Sequence, residues 1–177
     1  QVYHCAAMIS FNPKDAAKMV QINEMGTEHI VNTSILLKVK KLVHISSVAA
    51  VGKEKYGELI TEKTAWQKDN TTSNYSYSKY AAEMQVWRGI AEGLEAVILN
   101  PSVILGSGFW DQGSTEIFKL YGEGFPFYSN GSNGFVDVRD VARLAILAME
   151  STIIEQRFII NGANRPFQKV FNLISEK

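Results

Sequence analysis

The sequence predicts an α/β fold in which helices cover a parallel sheet. Short apolar runs rich in β-branched residues alternate along the chain with long segments of helical periodicity. Those apolar runs do not alternate strictly with polar residues, which is typical of strands buried on both faces. No internal repeat, low-complexity tract or linker divides the sequence. We therefore expect residues 1–177 to form a single α/β domain.

The first predicted elements are a strand over residues 2 to 5 and a helix over residues 14 to 38. Lysines at the end of this helix, among them Lys41, suit the negative end of the helix dipole. The inner face of the helix should approach the sheet closely, because several of its residues are small. This face comprises Asn23, Gly26, Thr27, Ile30, Val31 and Ser34.

The middle of the chain predicts a strand over residues 41 to 46, a helix over residues 73 to 92 and a strand over residues 95 to 99. Each strand is a short apolar run. Ser73 or Asn74 is expected to cap the helix, since either side chain can accept a hydrogen bond from a free backbone N–H. A strand, a long helix and a further strand form the repeating unit of a parallel sheet.

A helix over residues 137 to 149 and a strand over residues 157 to 161 complete the predicted core. Asp137 is a candidate N-cap for this helix. Apolar residues at three- and four-residue steps predict that one helix face is buried. These residues are Val138, Val141, Ala142, Ala145, Ile146 and Met149.

Charge and composition exclude several classes of function. The 18 basic residues balance the 18 acidic ones, so no excess charge attracts nucleic acid or an anionic membrane surface. No apolar run approaches the roughly 18 to 20 residues that span a bilayer. The single cysteine, Cys5, cannot form an internal disulfide and has no Cys or His companions at metal-ligand spacing. We expect a cytoplasmic protein with a small-molecule partner and no metal site.

Tyr75 and Lys79 are the sharpest candidates for chemistry. Their spacing places a phenol and an ammonium on the same helix face, one turn apart. A free tyrosine, with a pKa of about 10, is a poor base at neutral pH, but a neighbouring cation lowers that pKa. Tyr75 would then exchange a proton with a substrate alcohol or carbonyl. The alternative is that Tyr75 and Lys79 have this spacing by chance. Tyr77 and Tyr80 are weaker candidates, because neither is followed by a lysine four residues later.

Two serines, Ser46 and Ser47, stand where the strand over residues 41 to 46 ends. Ligands of parallel sheets bind beyond the carboxyl ends of the strands. A hydroxyl at this place can hydrogen-bond a reacting oxygen. The alternative is that Ser47 caps the following turn, and the sequence leaves both interpretations open.

Together these stretches resemble the extended short-chain dehydrogenase/reductases, the NAD-dependent epimerase/dehydratase group, over essentially the whole chain. In that family a Ser or Thr after the fifth strand and a Tyr-x-x-x-Lys on the next helix form the active site. These positions match Ser47, Tyr75 and Lys79. Four further segments are similar to family motifs: Val2-Tyr-His-Cys-Ala-Ala7, Asn23-Glu-Met-Gly-Thr27, Asn100-Pro-Ser-Val-Ile-Leu-Gly106 and Gly134-Phe-Val-Asp-Val-Arg-Asp-Val-Ala142.

The resemblance implies a Rossmann-like doubly wound parallel sheet that binds NAD or NADP. Residues 1–100 would be the remainder of the dinucleotide-binding core. Residues 101–177 would combine core elements with part of a small C-terminal substrate-binding region. The two long helices form the dimer interface in many relatives, so the resemblance also implies a homodimer.

The implied chemistry is hydride transfer between a substrate carbon and the nicotinamide, with Tyr75 as general acid or base. Lys79 would bind the nicotinamide ribose and lower the pKa of Tyr75. Ser47 would polarise the reacting oxygen, and Asn23 would support the active site. Cofactor contacts would fall on Ala6, Ala7, Ser46, Tyr75, Lys79, Asn100, Pro101 and Val103.

The sequence departs from the family pattern at its start. A complete member begins with a strand, a Gly-x-x-Gly-x-x-Gly turn and a helix that holds the pyrophosphate, and no such turn occurs here. We expect the first βαβ units, roughly 70 to 80 residues, to precede Gln1 in the parent protein. Residues 1–177 alone are expected to be inactive. The choice between NAD and NADP depends on the same segment and stays open.

Other departures bear on the type of reaction. Val48 and Ala49 stand where sugar-nucleotide dehydratases carry an Asp-Glu pair, which argues against dehydration. Residues 132–134 lack the arginine that nucleotide-diphosphate-binding members often place there, which weakens an epimerase interpretation. The motifs look closest to the dihydroflavonol reductase and hydroxysteroid dehydrogenase branch, whose members interconvert a carbonyl and a secondary alcohol. A nucleotide-sugar 4-epimerase with tightly held NAD and a non-catalytic NAD(P)-binding sensor are the alternatives.

Aromatic residues between positions 109 and 128 offer an apolar substrate pocket. Packing within a core is the alternative explanation for most of them. They include Trp110, Phe118, Tyr121, Phe125 and Phe127.

Overall fold

The computed structural model describes residues 1–10, 12–55, 57–108, 116–125, 127 and 130–176. Contacts divide the chain into two units. The first unit comprises Gln1–Asn100 and Leu144–Ile159, and the second comprises Pro101–Arg143 and Ile160–Lys177.

Strands and helices alternate along most of the chain. The strands are β1 (Val2–His4), β2 (Leu42–Ile45), β3 (Ala96–Pro101), β4 (Val103–Leu105), β5 (Ser132–Asp137), β6 (Gln156–Ile160) and β7 (Ala163–Pro166). The helices are α1 (Ala16–Leu36), α2 (Asn74–Ala91), α3 (Glu116–Gly122), α4 (Val138–Glu150) and α5 (Phe167–Ser175).

The predicted α/β class is confirmed. The four predicted strands form one sheet in the order β1-β2-β3-β6, so β1 and β6 lie at its two edges. β1 runs parallel to β2 and β2 runs parallel to β3, with Leu42 opposite both Val2 and Ala96. The bounds of these strands, and of α1, α2 and α4, lie within two residues of the predicted ones.

A second sheet, β4-β5-β7, was not predicted from the sequence. β4 pairs with β5 in parallel, and β5 pairs with β7 in antiparallel orientation. β5 begins Ser132-Asn133-Gly134, and these residue types have little preference for strands. α5 follows β7 directly and has no side-chain N-cap hydrogen bond. Local sequence patterns therefore carry little signal for this part of the fold.

Helices α1 and α2 approach one another closely in the first unit. A Cβ atom added at Gly89 would lie 2.5 Å from Val31 Cγ1, so only glycine fits at this point. The prediction that small residues on α1 allow close packing is wrong for Gly26, because a Cβ there would meet nothing within 4 Å. The core cluster around this contact comprises Val31, Leu42, Val86, Leu94, Ala96 and Ile98.

The buried stripe predicted for α4 is only partly correct. Val141 and Met149 are buried, whereas Val138 is 41% exposed and Ile146 is 50% exposed. Val141 and Met149 are eight residues apart, just over two helical turns, and therefore lie on the same broad face of the helix. The buried seam is narrower than the predicted apolar stripe, and Ala142 on its flank is exposed.

Lys41 stabilises the end of α4 rather than the end of α1. α1 ends at Leu36 and carries no basic residue in its last turn. The buried Lys41 ammonium donates hydrogen bonds to the carbonyl oxygens of Ala148, at 2.6 Å, and Ser151, at 2.8 Å. A cation at this position satisfies carbonyl groups that the helix leaves unpaired and interacts favourably with the helix dipole.

Replacing Lys41 with Met should lower the free energy of unfolding by about 1.5 to 3 kcal/mol, because the hydrogen bonds that the charged ammonium donates to the Ala148 and Ser151 carbonyl oxygens are lost. Urea unfolding followed by far-ultraviolet circular dichroism measures the change. Lys40→Met is the matched control, since Lys40 is exposed, and should alter stability by less than about 0.5 kcal/mol. Equal stability of the two variants would contradict the capping role.

Aromatic packing dominates the second unit. Tyr121 on α3 stacks on Phe171 of α5 with ring centroids 3.8 Å apart, and Phe125 meets the Tyr121 ring edge to face. Phe127 contacts Phe125 in the same way. A largely apolar cavity of about 690 Å³ lies nearby within this unit. Its lining comprises Leu105, Phe118, Lys119, Gly122, Val170, Leu173 and Ile174.

The predicted apolar pocket is therefore only partly reproduced by the described residues. Phe118 lines the cavity, whereas Tyr121, Phe125 and Phe127 pack against other aromatic rings. Trp110 lies outside the described residues.

Across the described ranges, no helix has the length and apolar character that a membrane crossing requires. No group of three or more His, Cys, Asp or Glu side chains in this same part of the chain is arranged to hold a metal ion.

Candidate active site

The turn after β2 positions Ser47. Ser47 is the N-cap of a short 3-10 helix, Val48–Ala50, and its hydroxyl accepts a hydrogen bond from the Ala49 amide at 3.2 Å. The same side chain also hydrogen-bonds Tyr75. The two interpretations of Ser47 are therefore compatible, since the residue caps a turn and contacts the phenol.

Tyr75 lies in the first turn of α2. Ser73 is the N-cap of this helix, and its hydroxyl accepts a hydrogen bond from the Ser76 amide at 3.0 Å. Burial raises the pKa of the Tyr75 phenol, and the hydrogen bond with Ser47 opposes part of that rise. This result differs from the expectation that a neighbouring cation lowers the pKa of Tyr75. In the chain by itself, the desolvation of the phenol is the larger effect.

Lys79 lies one turn further along α2 and is only 3% exposed. Its ammonium donates a hydrogen bond to the Ile45 carbonyl, at 3.1 Å, at the end of β2. Burial lowers the pKa of Lys79 to about 8, and the negative charge of Glu83 and the Cys5 thiol partly oppose this shift. The helix and the strand together hold the ammonium on the side of the sheet where Ser47 and Tyr75 meet.

Two histidines on neighbouring strands lie close enough to Lys79 to be affected by its charge. The ring centroids of His4 on β1 and His44 on β2 are 5.0 Å apart. His4 Nε2 lies 2.9 Å from Thr27 Oγ1, whereas neither ring nitrogen of His44 has a hydrogen-bond partner in the described part of the chain. Desolvation, and then the charge of Lys79, lower the pKa of both rings. Both histidines are therefore neutral at physiological pH.

Asn23 on α1 joins the loop after β1 to the helix that carries Tyr75 and Lys79. Its side-chain oxygen accepts a hydrogen bond from the Met8 amide at 2.7 Å, and its NH₂ group donates to the Met8 carbonyl and to Ser78 Oγ. Ser78 Oγ in turn donates to the Tyr75 carbonyl at 2.8 Å. The buried amide is thus placed to hold the site together.

Ser46 and Asn100 converge on the carboxylate of Glu83, which was not predicted to have a role in the site. Ser46 Oγ and Asn100 Nδ2 each lie 2.7 Å from Glu83 Oε2, and both donate to it. Asn100 Nδ2 also donates to the Ser47 carbonyl at 2.9 Å. A polar residue four positions after Lys79 on the buried helix face was the available signal. Its partners lie far away in sequence, so spacing alone did not reveal them.

The remaining predicted cofactor residues fall into two groups. Ala6 and Ala7 follow β1 in the first unit, and both are exposed. Pro101 and Val103 belong to the second unit, with Pro101 buried and Val103 partly buried. In that unit the nearby Ser102 hydroxyl donates to Asn161 Oδ1 at 3.0 Å, and this bond stabilises the loop between strands.

Comparison with known proteins gives one family match and several relatives. The sequence profile of the NAD dependent epimerase/dehydratase family matches residues 1–161. Cinnamoyl-CoA reductase 1 of Arabidopsis thaliana is 26% identical over 99% of this chain and 53% of its own length. The "Putative dihydroflavonol 4-reductase" of Synechocystis is 31% identical over 98% of this chain and 52% of its own length. The chain thus spans about half the length of these curated relatives.

Solved structures share the fold. The crystal structure of gox2253 superposes with a TM-score of 0.89 at 30% identity and covers 98% of this chain and 54% of its own. The Thermus thermophilus UDP-glucose 4-epimerase, solved with NAD, gives a TM-score of 0.82 at 23% identity and covers 98% of this chain and 60% of its own. The latter likeness shows the fold alone. The predicted Rossmann-like architecture is confirmed.

Proposed function

Because the chain belongs to the NAD-dependent epimerase/dehydratase family, we propose that its complete gene product is an NAD(P)-dependent oxidoreductase that interconverts a carbonyl and a secondary alcohol. One observation carries this proposal. Ser47 and Tyr75 are hydrogen-bonded within the first unit, and Lys79 lies on the same helix one turn from Tyr75. This combination supplies a proton donor, a group that orients it and a fixed cation.

Reduction or oxidation is favoured over the other reactions of the family. Relatives between 26% and 31% identical are named as reductases. Val48 and Ala49, which lie in the short helix after Ser47, carry no acid for elimination chemistry. The solved epimerases compared with this chain are less than 25% identical and therefore do not speak to its reaction.

The residues present fit a nicotinamide cofactor. Lys79 has three N–H donors, and the Ile45 carbonyl takes one of them, which leaves donors for vicinal ribose hydroxyls. Ala6 and Ala7 are exposed and have only a methyl side chain, so a ligand can approach their backbone closely. When bound, the cofactor supplies or accepts the hydride.

In the reducing direction, Tyr75 would donate its phenolic proton to the carbonyl oxygen of the substrate as the carbonyl carbon gains a hydride. Ser47 would hydrogen-bond the same oxygen and stabilise its developing negative charge. The Lys79 ammonium would favour the phenolate left on Tyr75, because opposite charges stabilise one another in a buried site. In the oxidising direction the same groups act in reverse.

Steady-state assays of the complete gene product test this function. A panel of ketones, aldehydes and secondary alcohols with NADH, NADPH, NAD and NADP should show net change in nicotinamide absorbance with at least one substrate. Interconversion of a UDP-sugar without net nicotinamide oxidation would replace the proposal with an epimerase. Tight NAD(P) binding without turnover of any substrate would replace it with a sensor.

The 177-residue polypeptide by itself should bind NAD(P) with a dissociation constant above about 1 mM. It contains no Gly-x-x-Gly-x-x-Gly turn, and contacts to the pyrophosphate supply much of the affinity in such folds. Isothermal titration calorimetry with NADH and NADPH measures the affinity, and the complete gene product is the control. Micromolar affinity of the 177-residue polypeptide would contradict this prediction, because it would show that contacts to the nicotinamide part of the cofactor are sufficient for tight binding.

We also propose a reducing, cytoplasmic setting and a homodimer formed through α1 and α2. The single cysteine, Cys5, is a free thiol and is exposed. Two apolar residues on α1, Ile22 and Met25, are each 44% exposed, which supports an interface on that helix.

A further inference from the structure

A buried carboxylate lies behind Ser47, Tyr75 and Lys79, and the proposed mechanism does not use it. Glu83 on α2 has 0% exposure. Besides its bonds from Ser46 and Asn100, it accepts hydrogen bonds through Oε1 from Arg157, at 3.2 Å, and from the Trp87 indole, at 3.3 Å. The four donors match the number of hydrogen bonds that the two oxygens of a carboxylate can accept.

These bonds tie together segments that are distant in sequence. Ser46 follows β2, Asn100 lies in β3, and Arg157 lies in β6. Arg157 also donates hydrogen bonds to the carbonyl oxygens of Glu62 and Thr64, in the loop that precedes α2. The Glu83 carboxylate is therefore the common partner of two strand ends and, through Arg157, of that loop.

We propose that Glu83 is a positioning residue of this site, which fixes the Ser46–Ser47 turn and Asn100 against the helix that carries Tyr75 and Lys79. Asn100 transmits this effect, since the NH₂ group that donates to Glu83 also donates to the Ser47 carbonyl. Loss of the carboxylate frees the backbone of Ser47 and thereby moves the hydroxyl that contacts Tyr75. The inference rests on the proposed function for its kinetic consequences only.

The Glu83 charge also acts on Lys79. The other titratable groups around Lys79 are His4 and His44 on the strands, Cys5 after β1 and Tyr75 on the same helix. His4 and His44 are neutral, and Cys5 is exposed. The negative charge of Glu83 raises the pKa of Lys79 against the effect of burial, and its effect is larger than that of Cys5. Removing its charge therefore lowers the pKa of Lys79.

Glu83→Gln tests the proposal, because glutamine keeps the shape but cannot accept all four hydrogen bonds. In the complete gene product kcat should fall about 100-fold, as expected for displaced catalytic groups, while KM changes less. In the protein without cofactor, lysine side-chain NMR should show Lys79 titrating below its wild-type pKa of about 8. A Lys79→Met variant identifies the Lys79 signal.

Three variants separate positioning from simple structural support. Glu83→Asp keeps the charge and should restore most of the Lys79 pKa. Arg157→Met removes the ion pair but keeps the carboxylate, and should destabilise the fold without lowering the pKa of Lys79. Glu92→Gln is the matched control, since the exposed Glu92 is the C-cap of the same helix and its carboxylate pairs with Arg88. It should match the wild type in kcat and in the pKa of Lys79.

If Glu83→Gln prevents folding, Ser46→Ala supplies the test. It removes one hydrogen bond of the carboxylate and should lower kcat about tenfold. Wild-type kcat in folded Glu83→Gln or in Ser46→Ala, or an unchanged Lys79 pKa in Glu83→Gln, would overturn the positioning role. The NMR titration needs no turnover. It therefore still decides the role of Glu83 if the complete gene product proves inactive on carbonyls and alcohols.

Discussion

Replacing Tyr75 with Phe is expected to lower kcat of the complete gene product by about 100- to 10,000-fold, the range over which general acid-base catalysis contributes to rates. The substitution removes one oxygen atom and leaves the ring in place. Because burial desolvates the site of the phenol, water does not readily reach it to take over the proton transfer. Stopped-flow or steady-state nicotinamide absorbance measures the loss.

Tyr77→Phe is the matched control for this experiment. Tyr77 lies on the same helix, but its ring faces Trp66, at a centroid distance of 6.1 Å, and Lys68, whose Nζ lies 4.7 Å from the ring centroid. Its hydroxyl has no place in the proposed mechanism, so kcat should stay within about twofold of the wild type. NAD(P)H binding, followed by fluorescence, should persist in both variants. Equal kcat for Tyr75→Phe and the wild type would remove Tyr75 from the mechanism.

Replacing Lys79 with Met should weaken cofactor binding and slow turnover. The affinity for the cofactor should fall about 10- to 100-fold, because hydrogen bonds from a charged donor to the ribose are lost. kcat should also fall, since no cation then favours the phenolate of Tyr75. Fluorescence titration gives the affinity, and Lys53→Met, which removes an exposed lysine paired with Asp69, is the control.

The same variant should show how the charge of Lys79 affects the stability of the fold as pH rises. The pKa of Lys79 falls from 10.5 to about 8 on folding, so the unfolded chain binds more protons between these values. Stability conferred by the wild-type residue therefore rises across this window, by about 1.4 kcal/mol per pH unit in its middle part. The free energy of unfolding of Lys79→Met should not show this rise, because methionine does not titrate.

Urea unfolding of both proteins without cofactor, from pH 7 to pH 10.5, measures the difference. Below pH 8 the variant should be the more stable one, because burying an ammonium costs more than its single hydrogen bond to Ile45 returns. Parallel pH profiles of the two proteins would show that Lys79 is not desolvated.

The parallel sheet could be predicted from the sequence because its strands are continuous apolar runs. Leu42–Ile45 and Ala96–Pro101 are buried almost throughout, and burial on both faces makes both strands predominantly apolar, with His44 and Asn100 as polar exceptions. The strand ends were equally readable, since Ser46 and Ser47 interrupt an apolar run. The candidate site could be predicted as well, because the four-residue spacing of Tyr75 and Lys79 on a capped helix is a local pattern.

Long-range contacts explain what the sequence did not reveal. Glu83 bonds to Ser46 and Arg157, which are 37 and 74 residues away, and no local pattern encodes such pairs. Lys41 was assigned to the nearest helix end, whereas its partner carbonyls lie 107 and 110 residues further along. The raised pKa of Tyr75 depends on burial by the folded chain and cannot be read from helix spacing.

The position of β1 at the sheet edge affects how the isolated chain behaves in solution. Among the described residues, Val2–His4 pair on one side only, with β2. The outer side of the strand carries backbone N–H and C=O groups that a strand from a second molecule can bind. Tyr3, at the centre of this edge, is 45% exposed and adds an apolar ring to the contact. The 177-residue polypeptide is therefore exposed to intermolecular strand pairing, and hence to aggregation, wherever this edge is left uncovered.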